Sequence, residues 1–433
     1  MKMLAKELEC TVLSKEQQDF IQEIEESGEN YFITGKAGTG KSTVLQGLKK
    51  STKKKFVVAA PTGVAALNVG GQTIHSLFKL SIKFQEPDDI KVNKSTAKLL
   101  SKIDMLIIDE VSMLRADILD AMNIILQKSK NNFEPFGGVQ VVMFGDLYQL
   151  PPIISDNEIA QYFKDKYSSH YFFAAHVWSG ASLVLKELTT IFRQDDKEFQ
   201  SILNSIRIRD FDSNLLNKLN ERVQDASVTE SIVTLALTNR TVSQINEEAL
   251  DKISSQAYEY DADISGDMEK SAFPTEETLT LKVGAQVMFL KNDPEQRWVN
   301  GTIGEVEYLS DDNIEIKVAD EIHEIKKTKW DKIKYSYDES TQKIKEEVVS
   351  SFTQYPLRLA WAITVHKSQG QTLNRVIFDI ERGAFAHGQT YVALSRCSSF
   401  EGLFLKKPIR ARDIIVDPRI SEFMKSFSSS GSF

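Results

Sequence analysis

Cysteine is almost missing from this 433-residue chain: only Cys10 and Cys397 occur, too few and too far apart for a disulfide framework or a CxxC metal site. A reducing, intracellular setting is expected. No run of 18 apolar residues occurs, and the stretch from Met1 to Cys10 has no apolar centre, so neither membrane spanning nor secretion is expected. Positive charge is not in excess either. The net charge is −8, so a polyanion partner has to be met by a local basic groove working against a repelling whole-molecule field. Repeats at solenoid periods are also absent. What remains, 41% hydrophobic and 26% charged residues, is an ordinary globular composition, long enough for two or more domains.

The chain is organised around Gly35-Lys36-Ala37-Gly38-Thr39-Gly40-Lys41-Ser42, which follows the apolar run Tyr31 to Thr34 and precedes helix-favouring Thr43 to Gln46. Strand, glycine-rich loop and helix in that order make a complete GxxxxGK[ST] phosphate loop. Glycines let backbone N–H groups face an anion, Lys41 reaches the β and γ phosphates, and Ser42 suits Mg²⁺. The positive end of the following helix points at the same place. Upstream, Ser14 with Gln17 three residues later reads as a capping box; Gln17 or Gln18 is also placed to meet an adenine.

Further strands end in polar loops. Phe56 to Ala60 runs into Pro61-Thr62-Gly63-Val64, and Gly70 to Phe78 carries Thr73, His75 and Ser76, a ledge of small and hydroxyl residues able to hold backbone phosphates. Met105 to Ile108 ends in Asp109-Glu110, a Walker B pair in which Asp109 holds the metal and Glu110 polarises water. A helix is predicted from about Asp117 to Lys128. Val139 to Phe144 then ends in Gly145-Asp146-Leu147-Tyr148-Gln149, with Gln149 placed to sense a γ-phosphate. Three such strand ends are expected where a ligand sits over the carboxyl edge of a parallel sheet.

A second α/β unit begins with Ile232 to Leu237, followed by Thr238-Asn239-Arg240. Short alternating segments between about 255 and 350 read as a small antiparallel barrel, and the lysine-rich stretch from Lys326 to Lys345 as a solvated face. The α/β pattern returns with a strand over Leu359 to Val365 leading into His366-Lys367-Ser368-Gln369-Gly370-Gln371. Arg193 and Arg396 stand in otherwise apolar settings in this half, which suits arginine fingers reaching a nucleotide from a facing domain. A second ledge at Thr364 to Ser368 suits a single strand.

The ordered motifs GKAGTGKS, APTGVAALNVGGQTIHSLF, IIDEVSM, FGDLYQLPP, IFRQ, LTNR, WAITVHKSQGQTL and YVALSRC closely resemble those of superfamily 1B DNA helicases of the Pif type, with RecD-type helicases next. Pro135-Phe136-Gly137-Gly138 resembles part of the Pif-type signature. The resemblance implies an α/β fold of two RecA-like parallel-sheet domains in tandem: 1–185, with a wedge near 79–97, and 186–254 joined to 351–433. Residues 255–350 would be an inserted SH3-like barrel. It implies ATP and Mg²⁺ as cofactors and 5′-to-3′ translocation on single-stranded DNA. Forked or tailed duplexes, G-quadruplexes and RNA–DNA hybrids are further implied substrates, with roles in repair, recombination and telomere maintenance.

By motif match, Gln17, Gly38, Thr39, Gly40, Lys41, Ser42, Thr43 and Gln371 would bind nucleotide, with Ser42 and Asp109 on the metal. Lys41, Glu110, Gln149, Arg193 and Arg396 would be catalytic. Pro61, Thr62, Gly63, Val64, His75, Ser76, Asn239, Arg240, Thr364, His366, Lys367 and Ser368 would line the DNA. The expected protein is a minimal bacterial core, cytoplasmic and nucleoid-associated, with no membrane partner, monomeric and able to pair on DNA. Two alternatives compete: a DNA-stimulated clamp that does not unwind, and a phosphate-loop phosphotransferase. RNA-directed unwinding also stays open, because grips on backbone phosphates do not select the sugar.

Overall fold

Ser14 opens the first helix, α1 (Lys15–Glu26), through the reciprocal cap that the sequence predicts: Gln17 N donates to Ser14 Oγ at 3.3 Å and Ser14 N to Gln17 Oε1 at 3.0 Å. The computed structural model describes residues 13–81, 90–154, 157–194, 196–223, 232–295, 297–338 and 340–430. Their contacts separate into two compact units. The first gathers the described parts of Thr11–Phe192, Asp331–Ser350 and Asp417–Phe433; the second, those of Arg193–Trp330 and Ser351–Val416.

In the first unit the apolar runs become β1 (Asn30–Gly35), β2 (Phe56–Ala60), β3 (Gln72–Thr73), β4 (Met105–Ile108), β5 (Gln140–Phe144) and β6 (Leu183–Leu188). They form one sheet in the order β3-β2-β4-β5-β1-β6, every pair parallel. Unbroken burial along β4 and β5 is what a parallel sheet covered on both faces requires. Edge strand β6 instead carries Lys186 and Glu187 and is largely half-buried. One face packs Ile21 and Ile24 of α1 and Val44, Leu45 and Leu48 of α2 (Lys41–Ser51) against Ile33, Val58, Ile107 and Val142. Two short helices follow, α3 (Gly63–Val69) and α4 (Ile74–Phe78); then come α5 (Lys94–Leu100), capped by Asn93, and α6 (Ala116–Lys130), on which α5 packs. Of the expected wedge, 82–89 lie outside the described residues.

The Pro135–Gly138 signature is a turn that buries Phe136 and Gly137. Phe136 and Gly137 both have positive φ, Phe136 N donates to Asn123 Oδ1 at 2.7 Å, and a Cβ on Gly137 would sit 2.8 Å from Leu126 O. This motif clamps the end of α6 before β5 begins.

Two segments join the first unit from far along the chain. Pro418–Ser430 is a helix whose Phe423 stacks on Phe173 at 4.2 Å between centroids, while Tyr171 Oη donates to Asp417 Oδ2 at 3.1 Å. Thr328–Asp338 and Lys343–Gln354 are neighbouring strands whose outer part reaches the same unit: Tyr335 N donates to Gln72 Oε1 at 3.1 Å and Tyr335 is 4% exposed. The lysine-rich stretch therefore has a buried anchor as well as a solvated face.

The second unit holds a four-stranded parallel sheet in the order Ala362–Thr364, Val233–Ala236, Val376–Asp379, Leu403–Leu405. Between its first two strands in chain order lie antiparallel sheets, the largest ordered Glu321–Ile325, Ile314–Val318, Ile303–Leu309, Gln286–Phe289, Leu357–Leu359. The single strand predicted over Leu359 to Val365 is in fact two. Leu357–Leu359 pairs antiparallel with Gln286–Phe289, and the chain changes sheets at Ala360 and Trp361, where Ala360 N donates to Gln286 O and Trp361 O accepts from Thr234 N. Apolar composition cannot register such a change of partner.

Candidate nucleotide and nucleic-acid sites

The loop after β1 is shaped by close approach. A Cβ on Gly35 would lie 2.6 Å from Thr39 Oγ1, and one on Gly40, at φ 82°, would lie 2.5 Å from Gln17 Nε2. Gln17 is thus both the reciprocal partner of the Ser14 cap and the neighbour of the loop's last glycine. Gly40 caps α2 without any side-chain bond, which leaves the first-turn N–H groups to serve an anion. Lys41 Nζ donates to Gly35 O at 2.6 Å and Lys36 O at 3.1 Å, curling its charge into the loop. Buried Thr39 donates to Lys36 O, Ser42 is exposed and Thr43 half-buried in the next turn, and Thr34 Oγ1 is buried without a partner. Backbone donors, a lysine and an exposed hydroxyl fit a polyphosphate.

Acids stand on the neighbouring strands. β5 lies beside β1, and β4 beside β5, so Asp146 and the Asp109-Glu110 pair end adjacent strands. Burial pushes the Asp109 carboxyl up to about 6, against the opposing pull of the Glu110 N–H bond and the Lys41 charge. Glu110 sits at φ 50°, ψ 42°, a left-handed backbone costly for a side-chain-bearing residue and common where a carboxylate must be aimed. Gln149 is 6% exposed and is fixed by Asp146, which accepts from Gln149 Nε2 at 3.4 Å and Tyr148 N at 3.1 Å. Asp146 is a positioning residue that the sequence reading did not single out; its signal was the Gly-Asp step at a strand end. Among the described residues no three of His, Cys, Asp and Glu cluster as a metal cage.

Farther along the same edge, Ala60 of β2 pairs with Thr73 of β3. Thr62 caps α3 by accepting from Ala65 N at 3.2 Å, and Thr73 caps α4 by accepting from Ser76 N at 3.2 Å. Pro61, Gly63, exposed Val64, His75 and Ser76 therefore gather at two short helix starts on adjacent strands. Each threonine oxygen already serves a cap, leaving its hydroxyl proton for an outside acceptor.

In the second unit Thr364 Oγ1 accepts from Lys367 N at 3.1 Å, forming a tight turn. Burial pushes the His366 imidazole and the Lys367 ammonium down, the latter aided by the Arg358 charge. Ser368 is fully buried and donates to Val365 O at 2.8 Å, and Thr364 and Val365 are buried as well, so His366 and Lys367 are the members of this ledge that reach the surface. Asn239 and Arg240 are exposed in the first turn of the helix Asn239–Asp251. Thr238 caps this helix by accepting from Thr241 N at 3.3 Å, and Glu381 braces the approach to it by accepting from Leu237 N and Thr238 N, each at 3.0 Å.

The arginines converge with Gln371. Arg396, 1% exposed, donates to Val392 O at 3.0 Å, Ser368 O at 3.4 Å, Gln371 O at 3.5 Å and Ser395 Oγ at 2.8 Å. Arg193 donates to Ser395 O at 3.3 Å, and burial pushes its guanidinium down, so it is not the surface ion pair an isolated arginine suggests. Gln194 joins them through Ser395 O and Cys397 O, and Gln371 Oε1 is buried without a partner. Three motifs distant in sequence thus meet within one unit.

A family model described as PIF1-like helicase matches residues 12–229. The chain is 34% identical over 411 residues to the ATP-dependent DNA helicase Pif1 of Bdellovibrio bacteriovorus, covering 93% of this chain and 89% of that protein. The structure of Bacteroides sp. Pif1 with ADP-AlF4 resembles it at TM-score 0.91 and 36% identity, over 98% of this chain and 99% of that one. Bacteroides Pif1 bound to single-stranded DNA, 38% identical over the same shares, superposes at TM-score 0.71. On the motifs, the parallel sheet and these likenesses together, the chain belongs to the PIF1-like helicase family.

Proposed function

We propose that this protein hydrolyses ATP at the Gly35–Ser42 loop and uses the cycle to move 5′-to-3′ along single-stranded DNA, opening duplexes ahead of it. Membership of the PIF1-like helicase family makes it an ATP-dependent DNA helicase; polarity, residue roles and preferred substrates are our reading. The observation that carries it is the placing of Lys41, of Asp109 with Glu110, and of Gln149 at the ends of three neighbouring parallel strands.

In this reading Gln17 meets the adenine, and the N–H groups of Gly38 to Thr43 with Lys41 hold the phosphates. Ser42 and Asp109 hold Mg²⁺, which when bound neutralises charge on the phosphate oxygens. A displaced pKa near 6 suits that ligand, since a cation favours the ionised carboxylate that burial disfavours. Glu110 takes the proton of the attacking water and Gln149 orients it. Arg193 and Arg396, with Gln371, complete the γ-phosphate contacts. Thr62 to Val64, His75, Ser76, Asn239, Arg240 and Thr364 to Lys367 carry the DNA backbone. The two RecA-like domains would be 1–185 and 186–254 with 351–433, and the antiparallel sheets of 255–350, inserted in the second, an SH3-like module; G-quadruplexes and RNA–DNA hybrids are further substrates of such a motor.

Steady-state ATP hydrolysis with and without a dT oligonucleotide tests the assignment. Glu110→Gln is expected to keep ATP and DNA binding while lowering turnover by roughly 10²–10⁴-fold; undiminished turnover removes Glu110 from the role. His366→Ala is expected to reduce the DNA-stimulated rate more than the basal rate, and equal losses would place His366 at the nucleotide.

A further inference from the structure

The fourth and fifth helices of the first unit and the arm carrying Tyr335 enclose a cavity of about 230 Å³, of whose wall the nucleotide and strand readings use Ser76 alone. Its wall includes Lys79, Lys98 and Lys334, with hydroxyls from Ser76 and Ser95, and no carboxylate lines it among the described residues. Two further lysines stand at its aromatic border: Lys102 Nζ lies 5.5 Å and Lys55 Nζ 5.9 Å from the ring centre of Tyr337. In a chain of net charge −8, five lysines around one pocket form the local basic groove that a polyanion needs.

The pocket is built, not a chance gathering of surface charge. Tyr335 fixes its floor: its amide donates to Gln72 Oε1 at 3.1 Å, its hydroxyl accepts from Val58 N at 3.4 Å, and it is 4% exposed. Lys79 holds the left-handed conformation at φ 57° at the end of α4, a position that favours glycine. Four residues earlier on the same helix lies His75, and Ser76 belongs both to this wall and to the strand-end ledge. The pocket therefore continues the ledge rather than facing elsewhere.

We propose that this pocket binds phosphate groups of a nucleic-acid strand, as an extension of the ledge at Thr62 to Ser76, through Lys79, Lys98 and Lys334. The inference rests on the strand-binding reading above and adds a grip to it. Because Lys334 and Tyr335 come from the arm and the other lysines from α4 and α5, a strand seated there holds the arm down. Tyr337, flanked by two lysines, borders the path of the bases.

The test is the salt dependence of binding of a labelled dT oligonucleotide, read by anisotropy, for the wild type, for Lys79→Ala/Lys98→Ala/Lys334→Ala and for the matching triple arginine variant. The alanine variant is expected to lower the slope of log affinity against log salt by roughly two, about 0.7 per phosphate lost. Basal ATP hydrolysis should be unchanged, and the arginine variant should restore the slope. An unchanged slope in an alanine variant that still binds DNA overturns the inference and leaves the strand reading intact. Failure of the wild type to bind any oligonucleotide overturns both. Displacement of the oligonucleotide by inorganic phosphate beyond chloride at equal ionic strength, seen only in the wild type, would assign the pocket to a free anion and overturn the strand.

Discussion

Lys41 and Arg396 are both cations expected at the same nucleotide, yet the two regions hold them differently. Lys41 sits in a loop shaped by glycine and bonded to its own carbonyls, and its neighbours Ser42 and Thr43 are open or half-open. Arg396 is almost wholly buried, tied to Val392, Ser368, Gln371 and Ser395 and surrounded by Arg193 and Gln194 on the same turn. The first is a site whose chemistry is detachable from its fold. The second is a site that is also a piece of the core.

Truncating each cation separates these two kinds of site. Lys41→Ala is expected to lower kcat by about 10²–10³-fold with a smaller loss of Tm than Arg396→Ala, because its bonds to Gly35 O and Lys36 O are only part-buried. Arg396→Ala is expected to lose activity and about 3 kcal/mol of stability together, since four acceptors lose a charged donor. Thermal unfolding beside the ATPase assay checks both; an Arg396→Ala protein as stable as wild type would end the distinction.

Asp109 supplies the next largest effect. Its carboxyl titrates near 6 in the folded protein and near the ordinary 3.8 when unfolded. A folded pKa above the unfolded one means that stability is fully present below about 4 and is lost as pH rises through about 6. Asp109→Asn should therefore raise Tm in chelator at pH 8 and leave it nearly unchanged at pH 4. Equal gains at both pH values would mean that burial does not strain this carboxylate.

A smaller effect belongs to Glu381, which braces the backbone before Asn239 and Arg240. Glu381→Ala is expected to cost about 1–2 kcal/mol, since two backbone N–H groups lose a charged acceptor, and to weaken oligonucleotide binding without changing basal hydrolysis. Loss of stability with unchanged binding would make Glu381 a structural brace and nothing more.

What the sequence discloses follows from which atoms do the work. The phosphate loop, the Asp109-Glu110 pair and the Ser14 cap depend on backbone geometry and on neighbours within a few residues, so local pattern suffices for them. Four strands of the parallel sheet, β1, β2, β4 and β5, are readable because buried parallel strands are unbroken apolar runs; β3, two residues long, and β6, which carries Lys186 and Glu187, are not. Arg193, Gln371 and Arg396 could be named, but the bonds of Arg193 to Ser395 O and of Arg396 to Gln371 O could not, since a carbonyl acceptor has no sequence signature. Ser368 looked like a ledge hydroxyl and is buried against Val365 O. Tyr335 lay hidden in a lysine-rich stretch because, within Thr328–Asp338, only Trp330 and Tyr335 are buried, and two residues five apart leave no strand period to read. Leu359 to Val365 shows the same limit: an apolar run does not say where it changes sheets.

Unwinding of duplexes carrying either a 5′ or a 3′ single-stranded tail, on a sample whose ATP hydrolysis is followed with and without dT oligonucleotide, tests the central claim most directly. Strong stimulation by the oligonucleotide and opening of the 5′-tailed duplex alone are expected. Opening of the 3′-tailed duplex would contradict the direction, and stimulated hydrolysis with neither duplex opened would contradict the motor and leave a clamp.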